Sequence, residues 1–215
     1  MRTLVRVVTA AMAFVMRLLY GYHVEGLEHL PRHGPYLLLL NEISLMGSVA
    51  AALTVARLAV TGRIDEPAGV TVEDAMGVGP WRHIFRVSQV LTVPPGLGGS
   101  SAALWAGLRA LRAGRIVVMN ADGEMSWDGG PPPLRSGAAW LALRGGVPVV
   151  PLVSTQSAYE VWPRWARWPH ASGRITVRVG PPLRLPRPAE PGVDGEQVEQ
   201  ANALIARQLH ALVYS

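Results

Sequence analysis

The chain has 215 residues, 49% of them hydrophobic and 16% charged, which suffices for a self-supporting core and excludes disorder. Cysteine is absent, so disulfides, a thiolate metal site and a cysteine nucleophile are excluded as well. Lysine is also absent, and the net charge of +5 rests on arginines spread along the chain. With no basic block and no interleaved aromatic motif, they argue against nucleic-acid binding. A modest positive field fits attraction to an anionic membrane surface better.

TLVRVVTAAMAFVMRLLY, residues 3–20, predicts an amphipathic first helix. Arg6 and Arg17 bracket an apolar stretch shorter than the roughly 20 residues that span a bilayer. The bulky LLYGY after it makes a poor signal-peptide cleavage site. Such a helix lies on a membrane or on the core, and both readings stay open.

YHVEGLEHLP then reads as a short strand and a turn, and RHGPYLLLLN as a turn and a buried strand. SVAAALTVARLAV predicts a helix, GVTVED a short strand, and VGPWRHIFRVSQ a helix opened by Pro80. VLTVPPG is a strand stopped by Pro94. SSAALWAGLRALRAG carries the plainest helical pattern, with serines to cap it and Gly114 to end it. RIVVMN is a buried strand, ADGEMSWDGGPPPLRSG a polar loop, AAWLALRGG a helix and VPVVPLV a strand.

VWPRWARWPH holds three tryptophans, a pattern of either an interfacial anchor or packing over the sheet edge. GRITVRVGPPL predicts a strand leaving the core, and EQVEQANALIARQLHALVYS a terminal amphipathic helix. The organisation expected is a helix over residues 1–20, one domain over 21–185, and a Pro-rich linker with its helix over 186–215.

Alternating strands and helices define an α/β domain with a mostly parallel sheet flanked by helices. In such sheets the site forms beyond the carboxyl ends of strands. Two polar loops answer that description, Asn41 to Ser48 and Asn120 to Gly137.

These loops and their order resemble the glycerolipid (1-acylglycerol-3-phosphate) acyltransferase family. That family reads V-x-G-x-E-x-L-P, G-P, an apolar strand and Asn-His-x-Ser-x-x-Asp, and VEGLEHLPRHGPYLLLLNEISLMG follows the frame. Its Phe-Pro-Glu-Gly-Thr-Arg-Ser motif falls on NADGEMS, and its V-P-V-V-P strand on VPVVPLV. The resemblance covers about residues 20–155 and implies the acyltransferase fold. It departs at the chemistry. The family's His deprotonates the acceptor hydroxyl and its Asp orients that His; here those positions are Glu42 and Gly47. The phosphate-binding motif becomes Asp122, Gly123, Glu124 and Met125, and a strand-end Arg becomes Pro95. Asn41, Ser44, Gly123, Ser126 and Arg135 keep family-like identities.

The resemblance therefore implies a site with Glu42 and Asp122 in catalytic places. Asn41, Ser44, Gly123, Glu124, Ser126 and Arg135 are its substrate-binding residues. A solvated Glu, with a reference pKa of about 4.3, is a poor base, but burial and a neighbouring carboxylate raise it. Glu42 is thus a candidate general base or acid; the alternative is an acid placed for the dipole of the following helix. Asp122 can equally cap a loop, and Glu124 and Asp128 can be solvated acids. No ligand spacing supports a metal, no cofactor is expected beyond acyl-CoA or acyl carrier protein as co-substrate, and His83 is only a reserve candidate. No G-x-S-x-G elbow supports a serine hydrolase.

Loss of the phosphate contacts argues for a non-phosphate acceptor, neutral or cationic. Three readings follow. The first is an enzyme on an acyl thioester that transfers or rearranges the acyl group. The second is an inactive acyl- or lipid-binding partner, and the third an ordinary lysophospholipid acyltransferase. The expected location is the cytoplasm, with peripheral contact on the inner face of the cell membrane as the variant.

Overall fold

A computed structural model describes residues 2–72, 90–93, 99–122, 125–131, 133–170, 173–186 and 192–214. The helix expected over VGPWRHIFRVSQ, with His83, and the positions Pro95, Gly123 and Glu124 lie outside the described residues.

The elements follow in chain order as α1 (Arg2–Tyr20), β1 (His23–Glu25), a 3-10 turn (Leu27–His29), β2 (Tyr36–Leu40), α2 (Leu45–Val60) and β3 (Ala68–Val72). Next come β4 (Val90–Val93), α3 (Gly99–Arg112), β5 (Ile116–Asn120), α4 (Gly137–Gly145) and β6 (Val149–Ser154). The last three are α5 (Ser157–Val161), β7 (Thr176–Val179) and α6 (Gly195–Tyr214). The seven strands form one sheet in the order β1-β7-β6-β2-β5-β3-β4. Every pairing is parallel except β6 with β7, so β7 and β1 run against the rest.

β2 sits centrally because it can be buried on both faces, and its apolar run YLLLL is what such a strand needs. Alternation along it feeds two cores. Leu37 and Leu39 pack with Leu108, Leu111, Leu141, Ile205 and Leu209 beneath α3, α4 and α6. Tyr36 and Leu38 pack with Met16, Leu53, Leu58, Ala158 and Val161 beneath α1, α2 and α5. Leu37, Leu38 and Leu39 are wholly buried, each worth about 1.5–3 kcal/mol of transfer free energy.

Two boundaries differ from the sequence reading. α2 starts at Leu45, three residues before the expected Ser48, because the Ser44 hydroxyl accepts the Gly47 N–H and caps it. α5 occupies part of the stretch read as loop; at five residues it is too short to show a helical period.

The first helix matches the stretch expected for it. It runs through both Arg6 and Arg17 for 19 residues, about 28 Å at 1.5 Å each. It is thus long and apolar enough to cross a membrane, by length and composition. Thr9, Ala13 and Met16 face inward, while Leu4, Val7, Val8, Phe14, Val15, Leu18 and Leu19 face solvent. Each of the two open readings therefore describes one face.

Candidate active site

β2 and β5 end side by side, with Leu40 in register with Asn120, and the loops that follow meet there. The Ala121 N–H donates to Leu40 O at 2.7 Å, extending the ladder one step past the strands. Beyond that step Glu42 and Asp122 come together. The backbone N–H of Glu42 donates to Asp122 Oδ2 at 2.7 Å, and Asn120 Nδ2 donates to Glu42 Oε1 at 2.6 Å. Ser126 N–H closes the loop on Glu42 O at 3.0 Å.

The electrostatics follow from this enclosure. Glu42 is half-buried, and burial pushes its carboxyl up from the usual range. Asp122 is buried, and its pKa is pushed up to about 7. Desolvation is the main cause; the Glu42 N–H opposes it and the Glu42 charge adds to it. Asp122 Oδ1 is buried with no hydrogen-bond partner. An unpartnered buried carboxylate oxygen is costly, which is why the proton is retained. Glu42 lies two residues before the Ser44 cap, and its carboxylate turns to Asn120 rather than to the amides opening α2.

The other predicted residues divide. Asn41 is buried and committed to Ser154: Nδ2 donates to Ser154 O at 2.9 Å, and Oδ1 accepts from Ser154 N–H at 2.8 Å and Oγ–H at 3.1 Å. Ser44 caps α2 and donates to Ala158 O at 2.9 Å. The Ser126 hydroxyl accepts from Gly129 N–H and donates to Asp128 Oδ1. Bonds from Gly130 N–H and Ser126 hold Asp128 below the usual carboxylate range. The Arg135 side chain is exposed, and its backbone N–H donates to Ala121 O at 3.1 Å. His23, His29 and His33 are engaged by Glu25, Val179 O and Asp65.

Asn120 and Ser154 are the members that sequence reasoning missed. Both end strands, and only the register shows that they face Glu42 and Asn41. Gly47 belongs with them. A Cβ built there would stand 2.5 Å from Ser154 Oγ and 3.0 Å from Ser154 Cβ. The place where the resembled family carries Asp is filled from the neighbouring strand. Among the described residues no three His, Cys, Asp or Glu side chains group as metal ligands.

The tryptophan loop reaches the site from one side. Arg164 Nη1 donates to Met125 O at 2.8 Å, and its guanidinium lies 3.6 Å from the centre of the Trp127 ring. Tyr159 O–H donates to Trp127 O. Trp165 and Trp168 stay exposed.

The α/β sheet with a long apolar helix ahead of it is the acyltransferase fold. Among the solved structures similar to this chain is that of the 1-acyl-sn-glycerophosphate (LPA) acyltransferase PlsC from Thermotoga maritima. That structure superposes with a TM-score of 0.66 at 19% identity, over 98% of this chain and 79% of the other. No protein-family model matches the chain, and no curated protein does.

Proposed function

We propose that the chain is an acyltransferase-like enzyme acting on an acyl thioester of coenzyme A or an acyl carrier protein. It transfers the acyl group to a non-phosphate acceptor, or rearranges it, with Glu42 in the catalytic place. The observation that carries this reading is the Asn120–Glu42–Asp122 chain of hydrogen bonds at the joint ends of β2 and β5. Glu42 Oε1 is occupied, and Oε2 is the oxygen left to take a proton. The acceptor's oxygen or nitrogen attacks the thioester carbonyl while Glu42 receives its proton. The C–S bond then breaks, and the leaving thiolate takes up a proton, which Asp122 still carries near neutral pH. Two acids beside the acceptor's path disfavour a phosphate and favour a neutral or cationic group. Arg135, exposed beside the loop, is a group within the described residues that can meet a polar acceptor.

The cell location proposed is the cytoplasm, with α1 resting on the membrane's inner face. Its exposed apolar side and the exposed Trp165 and Trp168 support this.

A second reading is favoured by one observation, the closure of Gly47 against Ser154. It is an acyl- or lipid-binding protein in which packing has replaced the reactive pair. Mass spectrometry separates the two. Purified protein and Glu42→Ala are given acyl thioesters with hydroxyl and amine acceptors and with lysophosphatidic acid. Turnover that Glu42→Ala abolishes is the expected result. Acyl binding without turnover selects the second reading, and product from lysophosphatidic acid alone selects an ordinary phospholipid acyltransferase. Flotation with liposomes, lost on deletion of residues 1–20, tests the location.

A further inference from the structure

A cleft of about 330 Å³ opens where the first turns of α1 cross the end of α2, lined by Arg6, Thr9, Ala10, Arg57, Val60 and Thr61. Its chemistry is one-sided. Arg6 Nε donates to Val60 O at 2.6 Å, and Arg57 Nη1 donates to Thr9 O at 3.4 Å. Each guanidinium is thereby tethered to the opposite helix through a single nitrogen, with its other N–H groups unspent by these bonds. No carboxylate among the described residues pairs with either one. The Thr9 and Thr61 hydroxyls donate to carbonyls of their own helices, which leaves their oxygen lone pairs, not protons, toward other groups. The donors for an incoming ligand are therefore the two arginines, a forked, doubly positive arrangement matched to phosphate oxygens.

The cleft's place on α1 says which phosphate. Leu4, Val8, Ala11, Val15 and Leu18 recur at helical spacing, with Val7 and Phe14 beside them, and form an exposed apolar stripe. Arg6, Ala10, Ala13 and Arg17 form the adjoining row, about a third of a turn around the helix. A helix resting with that stripe in acyl chains holds this row at headgroup level.

We infer that Arg6 and Arg57 form a binding site for the phosphate of an anionic phospholipid headgroup, which orients α1 on the bilayer. The inference rests on the membrane contact proposed above and adds the ligand and the two residues that take it.

Flotation of the full chain with phosphatidylcholine vesicles and with vesicles also carrying phosphatidylglycerol tests it. The variants are Arg6→Gln, Arg57→Gln and, as a control on the same row outside the cleft, Arg17→Gln. The expected result is tighter binding to the anionic vesicles, reduced roughly fivefold or more by each cleft variant and less by Arg17→Gln. Arg6 is exposed, so Arg6→Gln carries the test even if Arg57→Gln perturbs the fold, which circular dichroism reports. Equal losses for all three variants would reduce the effect to a diffuse field and overturn the site. Saturable binding of glycerol phosphate without vesicles would reassign the cleft to a soluble anion and overturn the lipid assignment. Wild-type protein that floats with neither vesicle overturns the membrane contact itself; flotation with both, indifferent to Arg6 and Arg57, overturns only the cleft.

Discussion

The main-chain N–H of Glu42 donates to the carboxylate of Asp122 across 80 residues of sequence, at 2.7 Å. The residue in the family's base position thus holds its acidic neighbour through the backbone and keeps its own carboxyl for Asn120. Side-chain changes at Glu42 leave the backbone contact to Asp122 in place and remove the charge that helps to raise its pKa.

Asp122 predicts a pH dependence of stability. Its pKa is about 7 folded against a usual 3.8, so between those values the folded state holds a proton that the unfolded state has lost. Stability contributed by protonation is full below about pH 4 and is lost as pH rises through 7. Asp122→Asn removes this slope. It gains on the wild type as pH rises, by up to about 2–4 kcal/mol at pH 8, while keeping the acceptor for Glu42 N–H. Urea denaturation at pH 4, 6 and 8 checks this; parallel curves for the two proteins would contradict it.

Asn120 predicts a directional effect on catalysis. Its amide donates to the Glu42 carboxylate and so favours the ionised form. Asn120→Leu moves the acid limb of the rate profile to higher pH and slows turnover below neutrality. A profile that keeps its shape and loses only height would make Asn120 a packing residue.

Gly47 predicts a clash and its rescue. Gly47→Ala puts a methyl against Ser154 Oγ and costs about 1–3 kcal/mol. Ser154→Gly in the same chain removes the obstruction and returns part of that loss, net of the bonds Ser154 makes to Asn41 through its hydroxyl. Grafting the family pair as Glu42→His with Gly47→Asp therefore fails to fold well unless Ser154 is also reduced. Thermal melts of the single, double and triple variants read the coupling.

Asn41→Ala is expected to destabilise by about 2–4 kcal/mol, because it strands the buried N–H and carbonyl of Ser154. An unchanged melting temperature would mean the joint between β2 and β6 is held elsewhere.

The sheet and the meeting of the two loops were legible because each rests on local pattern. YLLLL, IVVMN and VPVVPLV are apolar runs ended by turns, and the polar loops follow them. What was not legible depends on register. Asn120 and Ser154 are strand ends like others until the pairing of β2 with β5 and β6 sets them beside Glu42 and Asn41. The α1 pattern gave amphipathicity but not its sense: Ala13 and Met16 turn inward, and the bulkier Phe14 and Leu18 turn out. Periodicity reports that faces differ, not which one a neighbour covers.

β1 is an edge strand of three residues, and its partner β7 begins at Thr176, 153 positions after His23. A growing chain has its first strand ready long before anything exists to pair with it. At 5–20 residues per second the interval is on the order of ten seconds. α2, the helix that α1 packs on, is made early in that interval. The sheet edge at β1 is therefore closed only after the other six strands have been made. On the membrane contact proposed for α1, the helix can engage a bilayer before the sheet edge behind it is closed.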